Sequence, residues 1–154
     1  MTKLLVINLH GLINVPGTTR TALQGLGITK KFSATVVGGD PSTIGTLKRC
    51  KDYVAWSEID GETLTTLLMR RGKVSQRRKL DEKSLNTLGF KDYSEFASKI
   101  IEGDERLSSQ KGIIPYFNLT PPKGGFKRST RRQFREGGTL GRNDELLTIV
   151  RRMI

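Results

Sequence analysis

The sequence has very few of the residues that form disulfide bonds and metal centres. Its 154 residues include one cysteine and one histidine. Cys50 therefore has no disulfide partner within the chain, and together with His10 it cannot complete a cysteine- or histidine-based metal site. We expect Cys50 to pack as a small apolar side chain in a protein of the reducing cytoplasm, with no cofactor and no small-molecule substrate.

Long apolar segments are absent as well. No uninterrupted apolar run approaches the roughly 18 residues that a membrane-spanning helix requires, so we expect no membrane partner. The apolar stretch near the start is broken by Asn8 and His10, which argues against a signal peptide. We interpret residues 3–9 as a buried strand instead.

Carboxylates are absent from two segments that are rich in cations. Residues 121–135 (PPKGGFKRSTRRQFR) and residues 70–79 (RRGKVSQRRK) contain six lysines and arginines each, and together these cations equal the formal net charge of +12. Clustered charge raises the local concentration of phosphates, and nucleic acid is the polyanion that this pattern favours over a merely solvated charge run. We expect residues 121–135 to be mobile in the free protein, because Phe126 and Phe134 are their only large apolar side chains.

The first sixty residues alternate between strand and helix patterns. Thr18 or Thr19 is expected to cap the first helix, and the pair Asp40-Pro41 is typical of the start of the second. The alternation in residues 31–37 is typical of a half-exposed strand. The result is an α+β pattern of order β-α-β-α-β, which is sufficient for a two-layer sandwich. The predicted elements are strands over 3–9, 31–37 and 54–59, a turn and helix over 15–27, and a helix over 41–51.

The rest of the chain is predicted to be mainly helical. Helices are expected after Asp60 and after Asp92, the latter with Glu95 at capping-box spacing. Residues 113–119 are expected to be extended. A last helix, from about Asn143, has one apolar face that must dock on the body of the protein. That face consists of Leu146, Ile149, Val150 and Met153.

These patterns divide the chain into two parts. Residues 1–60 form a core domain, and residues 61–154 form an extension. The extension contains a basic loop over residues 121–138, which the last helix tethers to the body of the protein.

Short motifs along the whole chain resemble one known family. LQGLGITKKFSATV and DPSTIGTLKRCKDYV resemble its short bacterial form, and KDYVAWSEI, MRRGKV, LTPPKGGFKRS, FREGG and RRMI resemble its long form. By their order and spacing, the sequence is identified as a member of the universal large-subunit ribosomal protein family numbered thirty, of the archaeal type. GRNDE departs from the family pattern, in which an asparagine is expected before the arginine.

The resemblance implies a fold, a function and partners. The fold would be an antiparallel three-stranded sheet with two helices on one face, similar to ferredoxin. The protein would be a non-enzymatic constituent of the large ribosomal subunit in the cytoplasm, where it binds and stabilises ribosomal RNA of the 23S type during assembly and translation. Neighbouring ribosomal proteins would be further partners, and a position near 5S ribosomal RNA is left open.

Two other classes of function stay open. A free-standing RNA- or DNA-binding protein would have a similar charge pattern. An RNA-modifying enzyme would need a cluster of acids, bases or metal ligands, which the sequence does not indicate. The segment GGFKRST is not a phosphate-binding loop of the Walker type, because Phe126 precedes Lys127 and Arg128 intervenes before Ser129.

The candidate RNA-binding residues are cations and two glycines. Arginine suits such a surface because its planar guanidinium binds phosphate in a bidentate manner, and adjacent glycines allow close approach of the backbone. For Trp56, Tyr53, Tyr116, Phe117 and Phe126 we favour packing over base stacking. The candidates are Arg20, Lys30, Lys31, Arg70, Arg71, Lys73, Arg77, Arg78, Lys79, Lys123, Gly124, Gly125, Lys127, Arg128, Arg131, Arg132 and Arg135.

Overall fold

A mixed sheet covered by helices makes up the protein. A computed structural model describes residues 2–103 and 106–154. The strands in these residues are β1 (Lys3–Asn8), β2 (Ser33–Gly38), β3 (Val54–Glu58), β4 (Phe117–Asn118), β5 (Ser129–Gln133) and β6 (Gly138–Arg142). The helices are α1 (Gly17–Leu26), α2 (Pro41–Arg49), α3 (Gly61–Arg71), α4 (Glu82–Thr87), α5 (Tyr93–Glu102) and α6 (Leu146–Met153).

The centre of the sheet is an antiparallel trio with β1 in the middle. Val6 of β1 lies opposite Thr35 of β2 and Trp56 of β3. The α+β class and this trio are confirmed, but the full strand order is β4-β2-β1-β3-β6-β5. The expectation of three strands is therefore wrong: β4 pairs with β2 in antiparallel fashion, β6 pairs with β3 in parallel, and β5 pairs with β6 in parallel.

Aspartate side chains determine where several helices begin. At α2, Asp40 accepts a hydrogen bond from the Thr43 amide at 3.0 Å, which lowers the pKa of Asp40. Asp60 does the same for α3 through the Thr63 amide at 2.8 Å. Each carboxylate satisfies an amide that the first turn of a helix leaves without a partner, so both predicted caps are confirmed.

Other predicted helix starts differ from the structure. Pro16 occupies the cap position of α1, and no side chain in the described part of the chain caps this helix. The prediction that Thr18 or Thr19 caps it is therefore wrong. At α5 the Glu95 carboxylate accepts from the Lys91 amide at 2.9 Å, but Asp92 forms no cap bond to the described residues. The capping box is therefore incomplete. Helix α4 was not predicted from the sequence.

Both faces of the antiparallel trio are buried. On one face, Val6 and Trp56 pack with Leu23 of α1 and Leu47 of α2, which confirms two helices on that face, and Cys50 is buried with them. The other face carries side chains of β1, β2 and β3 and is covered by helices and loops of residues 61–154. The buried residues of this second cluster include Leu5, Ile7, Ala34, Val36, Ala55, Leu64, Leu67, Leu68, Phe96, Ile100, Leu146, Val150 and Met153.

Strand β2 is buried throughout, so the expectation of a half-exposed strand is wrong. Its edge is covered by β4, with Ala34 opposite Phe117, and the Thr35 hydroxyl donates to the Pro115 carbonyl at 2.7 Å. Of the predicted extended segment 113–119, the structure forms a strand at Phe117–Asn118. These two residues are sufficient to continue the sheet beyond β2.

The last helix returns to the body as expected, and its burial can be tested by mutation. Leu146 and Val150 are fully buried, and truncating a buried leucine to alanine usually costs about 2 to 5 kcal/mol. We expect Leu146→Ala with Val150→Ala to lower the free energy of unfolding by at least that amount, measured by denaturant titration. Thr148→Ala, on the exposed side of the same helix, is the control. An unchanged denaturation midpoint in the double variant would contradict this packing.

The Asp60 carboxyl makes part of the stability depend on pH. Burial raises its pKa, but hydrogen bonding from Thr63 and the Arg151 guanidinium, 3.3 Å away, outweigh burial and lower it. A carboxyl with a lowered folded pKa stabilises the fold above its unfolded pKa of about 3.9, and this contribution is lost as the pH falls through the folded value.

We expect the Tm of the unaltered protein to fall more steeply below about pH 4 than the Tm of Asp60→Asn, which keeps an acceptor for the helix cap. Calorimetric melts across this pH range would measure both slopes. If the slopes are equal, the Asp60 charge contributes no stability.

Candidate nucleic-acid interface

The predicted cations are placed on the surface. Of the seventeen candidate residues, Arg71 and Lys73 are half-buried and the others are exposed. They fall into three groups: the end of α3 with the hairpin that follows it, the segment of residues 121–135, and a group near the first helix, with Arg20 in α1 and Lys30 and Lys31 in the turn after it. The charge surplus found in the sequence is thus accessible to a large anion.

The first basic run forms a compact turn at the end of α3. Lys73 and Lys79 lie opposite each other in an antiparallel bridge. The Val74 amide donates to the Arg78 carbonyl at 3.0 Å, and the Arg78 amide donates to the Ser75 carbonyl at 3.2 Å. These bonds fix the backbone and leave the side chains of Arg77, Arg78 and Lys79 exposed, which is a suitable arrangement for phosphate contacts.

Arg71 has a structural role that the sequence does not indicate. Its guanidinium donates to the Asn118 carbonyl and to the Thr120 hydroxyl, both at 3.4 Å. The side chain thereby links the end of α3 to the segment after β4. Two of its donors are directed at the protein, so it has fewer left for RNA than its exposed neighbour Arg70.

The start of the second basic segment is held by α6. The Arg152 guanidinium donates to the carbonyls of Lys123 at 3.2 Å and Gly125 at 3.1 Å, and the Lys123 amide donates to the Arg152 carbonyl at 3.1 Å. Gly124 and Gly125 have φ angles of +79° and +73°, which favour glycine over other residues. The turn is therefore a defined backbone shape that the last helix supports.

The second half of this segment is a strand, so the expectation of a loop over residues 121–138 is wrong. Strand β5 is fastened by Gln133, whose amide donates to the Lys51 carbonyl and to Asp52 Oδ1, both at 3.0 Å. A Cβ at Gly138 would overlap the Arg132 backbone, so glycine allows the two strands to lie close together. The structure thus gives the segment more internal order than its composition predicts.

Within this segment the cations are not equivalent. The Arg128 guanidinium lies 5.0 Å from the centre of the Phe134 ring and 3.6 Å from the Glu145 carboxylate. Its charge is partly compensated within the protein. Lys127, Arg131 and Arg132 are exposed. Their side chains are therefore the better candidates for contacts with phosphate.

The candidate residues within residues 1–60 lie at the protein surface. The Arg20 guanidinium donates to the Leu12 carbonyl at 3.4 Å, and the Lys31 ammonium lies 5.1 Å from the centre of the Phe32 ring. Lys30 is exposed. The start of α2 is a poor anion site, because Asp40 caps it and also lies 3.8 Å from Arg106.

Aromatic packing follows the sequence interpretation. Trp56 and Phe117 are buried, and Phe126 stacks on Phe32 with ring centres 6.0 Å apart. Tyr53 and Tyr116 are half-buried. Trp56 and Phe117 are therefore not available for stacking on bases.

The structure brings together two cations that are a hundred residues apart in the sequence. Lys31 and Arg131 line one groove, with His10, Asp52 and Tyr53 as neighbours. The sequence did not predict this juxtaposition. A lone histidine and an aromatic residue at the start of a strand give no signal of a shared site.

The described residues have no acidic, histidine or cysteine cluster of the size needed to bind a metal ion. Among those same residues, none of the helices has the length and apolar character required to cross a membrane.

Comparison with known proteins identifies the family. Residues 4–54 match the sequence model of a family described as ribosomal protein L30p/L7e. The chain is similar to proteins named large ribosomal subunit protein uL30. It is 37% identical to that of Nitrosopumilus maritimus over 97% of both chains, and 39% identical to that of Korarchaeum cryptofilum over 97% of this chain and 93% of the relative.

A third relative, from Thermofilum pendens, is 37% identical over the full length of both chains. Similarity at this level extends across residues 61–154 as well as the segment that the family model covers. It agrees with the resemblance found in the sequence motifs. The chain belongs to the ribosomal protein L30p/L7e family.

Proposed function

We propose that this protein is a structural constituent of the large ribosomal subunit, where it binds and stabilises large-subunit ribosomal RNA during assembly and translation. The observation that carries the proposal is the match to large-subunit proteins over almost the whole chain. The exposed cations agree with it, because a protein embedded in folded RNA must compensate closely packed phosphates. Its location is accordingly the ribosome of the cytoplasm, and its relatives make it archaeal in type.

The RNA contacts are proposed to come from two surfaces. One is the hairpin of residues 73–79, and the other is the segment of residues 121–135. Both have a backbone held by hydrogen bonds within the protein and carry exposed cationic side chains. A fixed backbone lowers the entropy that must be given up when the side chains bind phosphate. The partner is RNA of the 23S type, with neighbouring ribosomal proteins and a place near 5S ribosomal RNA as finer proposals.

We also propose that the role is not enzymatic. The support is the family, whose named members here are components of the large subunit. An RNA-modifying enzyme would alter purified RNA chemically, and a free-standing DNA-binding protein would bind duplex DNA as tightly as ribosomal RNA. Mass analysis of incubated RNA and a duplex competition assay separate these alternatives.

The division into a core of residues 1–60 and an extension of residues 61–154 stays part of the proposal. Its support is the arrangement of the two apolar clusters. One lies between the trio and helices α1 and α2, and the other lies between the trio and the extension. In this division the extension covers the second face of the trio and carries most of the cations.

The proposed location can be tested by sedimentation. In a sucrose gradient of native archaeal lysate, the protein should travel with large subunits and with whole ribosomes. A tagged copy, detected by immunoblot, measures the distribution. Recovery in the light fractions while the ribosomes stay intact would contradict the proposal.

The role of the cations can be separated from the fold. Replacing Lys127, Arg131 and Arg132 with glutamine should weaken binding to a 23S ribosomal RNA transcript. It should also reduce the slope of log affinity against log salt by roughly 0.7 to 0.9 for each phosphate that the variant no longer neutralises. Tm should stay nearly constant, because exposed substitutions usually change stability by less than about 0.5 kcal/mol each.

Filter binding at several salt concentrations measures this prediction. Glutamine at Lys83, Lys91 and Lys111, three exposed lysines outside the proposed surfaces, provides a control of equal charge. If both triple variants bind the transcript with equally reduced affinity, net charge and not position determines binding.

A further inference from the structure

A groove of about 570 Å³ lies where the turn after β1 meets strand β5. We call it the His10 groove. Its walls include Lys31 and Arg131, the rings of His10 and Tyr53, and the Asp52 carboxylate. The volume lies within the range of about 300 to 1,000 Å³ that is usual for small-ligand sites. The groove combines charges of both signs with aromatic surface.

The turn that carries His10 is rigid. Asn8 is fully buried, and its Oδ1 accepts hydrogen bonds from the amides of His10 at 3.0 Å and Gly11 at 2.8 Å. Its Nδ2 donates to the Ile28 carbonyl at 2.8 Å. One side chain thus fixes the turn from within the core, so the backbone that carries the histidine ring is held in place before any ligand binds.

The rings present aromatic surface to the groove. His10 and Tyr53 form an edge-to-face pair, with ring centres 5.1 Å apart and an angle of 77° between the planes. His10 is exposed and Tyr53 is half-buried. An edge-to-face contact covers at most one face of one ring, so surface remains on which a flat base can stack.

The opposite wall is held by Gln133. Its amide joins β5 to the turn before β3 through the Lys51 carbonyl and Asp52 Oδ1, and this keeps Arg131 beside the groove. A carboxylate has about four acceptor positions, so Asp52 can accept further hydrogen bonds. An acidic side chain accepts from the amino group of cytosine, whereas uracil has a carbonyl oxygen at the same position.

We propose that the His10 groove binds one unpaired nucleotide of RNA, with cytosine preferred over uracil. Its phosphate pairs with Lys31 and Arg131, its base stacks on the His10 ring, and its amino group donates to Asp52. Single-stranded loops and bulges are where proteins recognise bases in folded RNA. The inference rests on the proposed function, since the ligand is part of the RNA that the protein binds, and it adds a base-specific site to the phosphate contacts.

The test uses the full-length protein and two labelled single strands of ten nucleotides, oligocytidine and oligouridine. Fluorescence anisotropy should show tighter binding of oligocytidine. His10→Ala should weaken that binding about fivefold or more, as expected for the loss of one stacked base, whereas His10→Phe should keep it. Asp52→Asn, which introduces a donor for the uracil carbonyl, should reduce the preference for cytosine. Lys83→Gln with Lys91→Gln is the control outside the groove.

Three results would overturn the inference while leaving the proposed function intact, provided that the unaltered protein still binds a 23S ribosomal RNA transcript. They are equal affinities for the two strands, oligocytidine binding by His10→Ala at the unaltered affinity, and equal competition by an oligoglutamate of the same charge. If the transcript itself is not bound, both the inference and the proposed function fail. Circular dichroism of each variant gives the folded fraction to which affinities are normalised, so that loss of fold is not counted as loss of binding.

Discussion

Burial of the second face of the antiparallel trio is the constraint on which the rest of the structure depends. Leu5, Ile7 and Val36 face away from α1 and α2, and each is almost completely shielded from solvent by the extension. Exposed, these side chains would each forfeit roughly 1.5 to 3 kcal/mol of hydrophobic stabilisation. Residues 61–154 are therefore held to the antiparallel trio by apolar contacts, and most of their cations lie exposed on the surface.

This arrangement also explains how a chain with so much positive charge can fold. The hairpin of residues 73–79 and the segment of residues 121–135 lie outside the two apolar clusters, although Val74 and Phe126 pack against one of them. The cost of charge repulsion is reduced because the side chains stay in water, where the high dielectric constant and dissolved salt weaken it. The backbone beneath them is ordered by hydrogen bonds in which the cationic side chains of these two segments take no part.

The features that could be predicted from the sequence are those that depend on residues close together in the chain, such as helix caps. Asp40 and Asp60 are recognisable as caps because an aspartate before a helical pattern satisfies free amides wherever the helix lies. The extended conformation of residues 113–119 was predicted, but the pairing of β4 within them was not, and strand β6 was not predicted because the glycine-containing GTLGR has no alternation to detect. Their pairing with β2 and β3 depends on where the extension folds, and the burial of β2 depends on the same contacts. The groove around His10 was not predictable for a similar reason, because Lys31 and Arg131 meet only through the sheet.

The hydrogen bonds from Arg152 to the carbonyls of Lys123 and Gly125 have a consequence for the order of events during synthesis. Residues 121–135 leave the translating ribosome before α6 does, and at that moment the guanidinium that holds their backbone has not yet emerged. Thr120 is in the same position, since its amide and hydroxyl both donate to the Met153 carbonyl. The nascent chain thus exposes an unsupported cationic segment for a short time, when any RNA nearby can capture it. Once α6 has emerged, it can form its hydrogen bonds to the segment, and the surface takes its final shape.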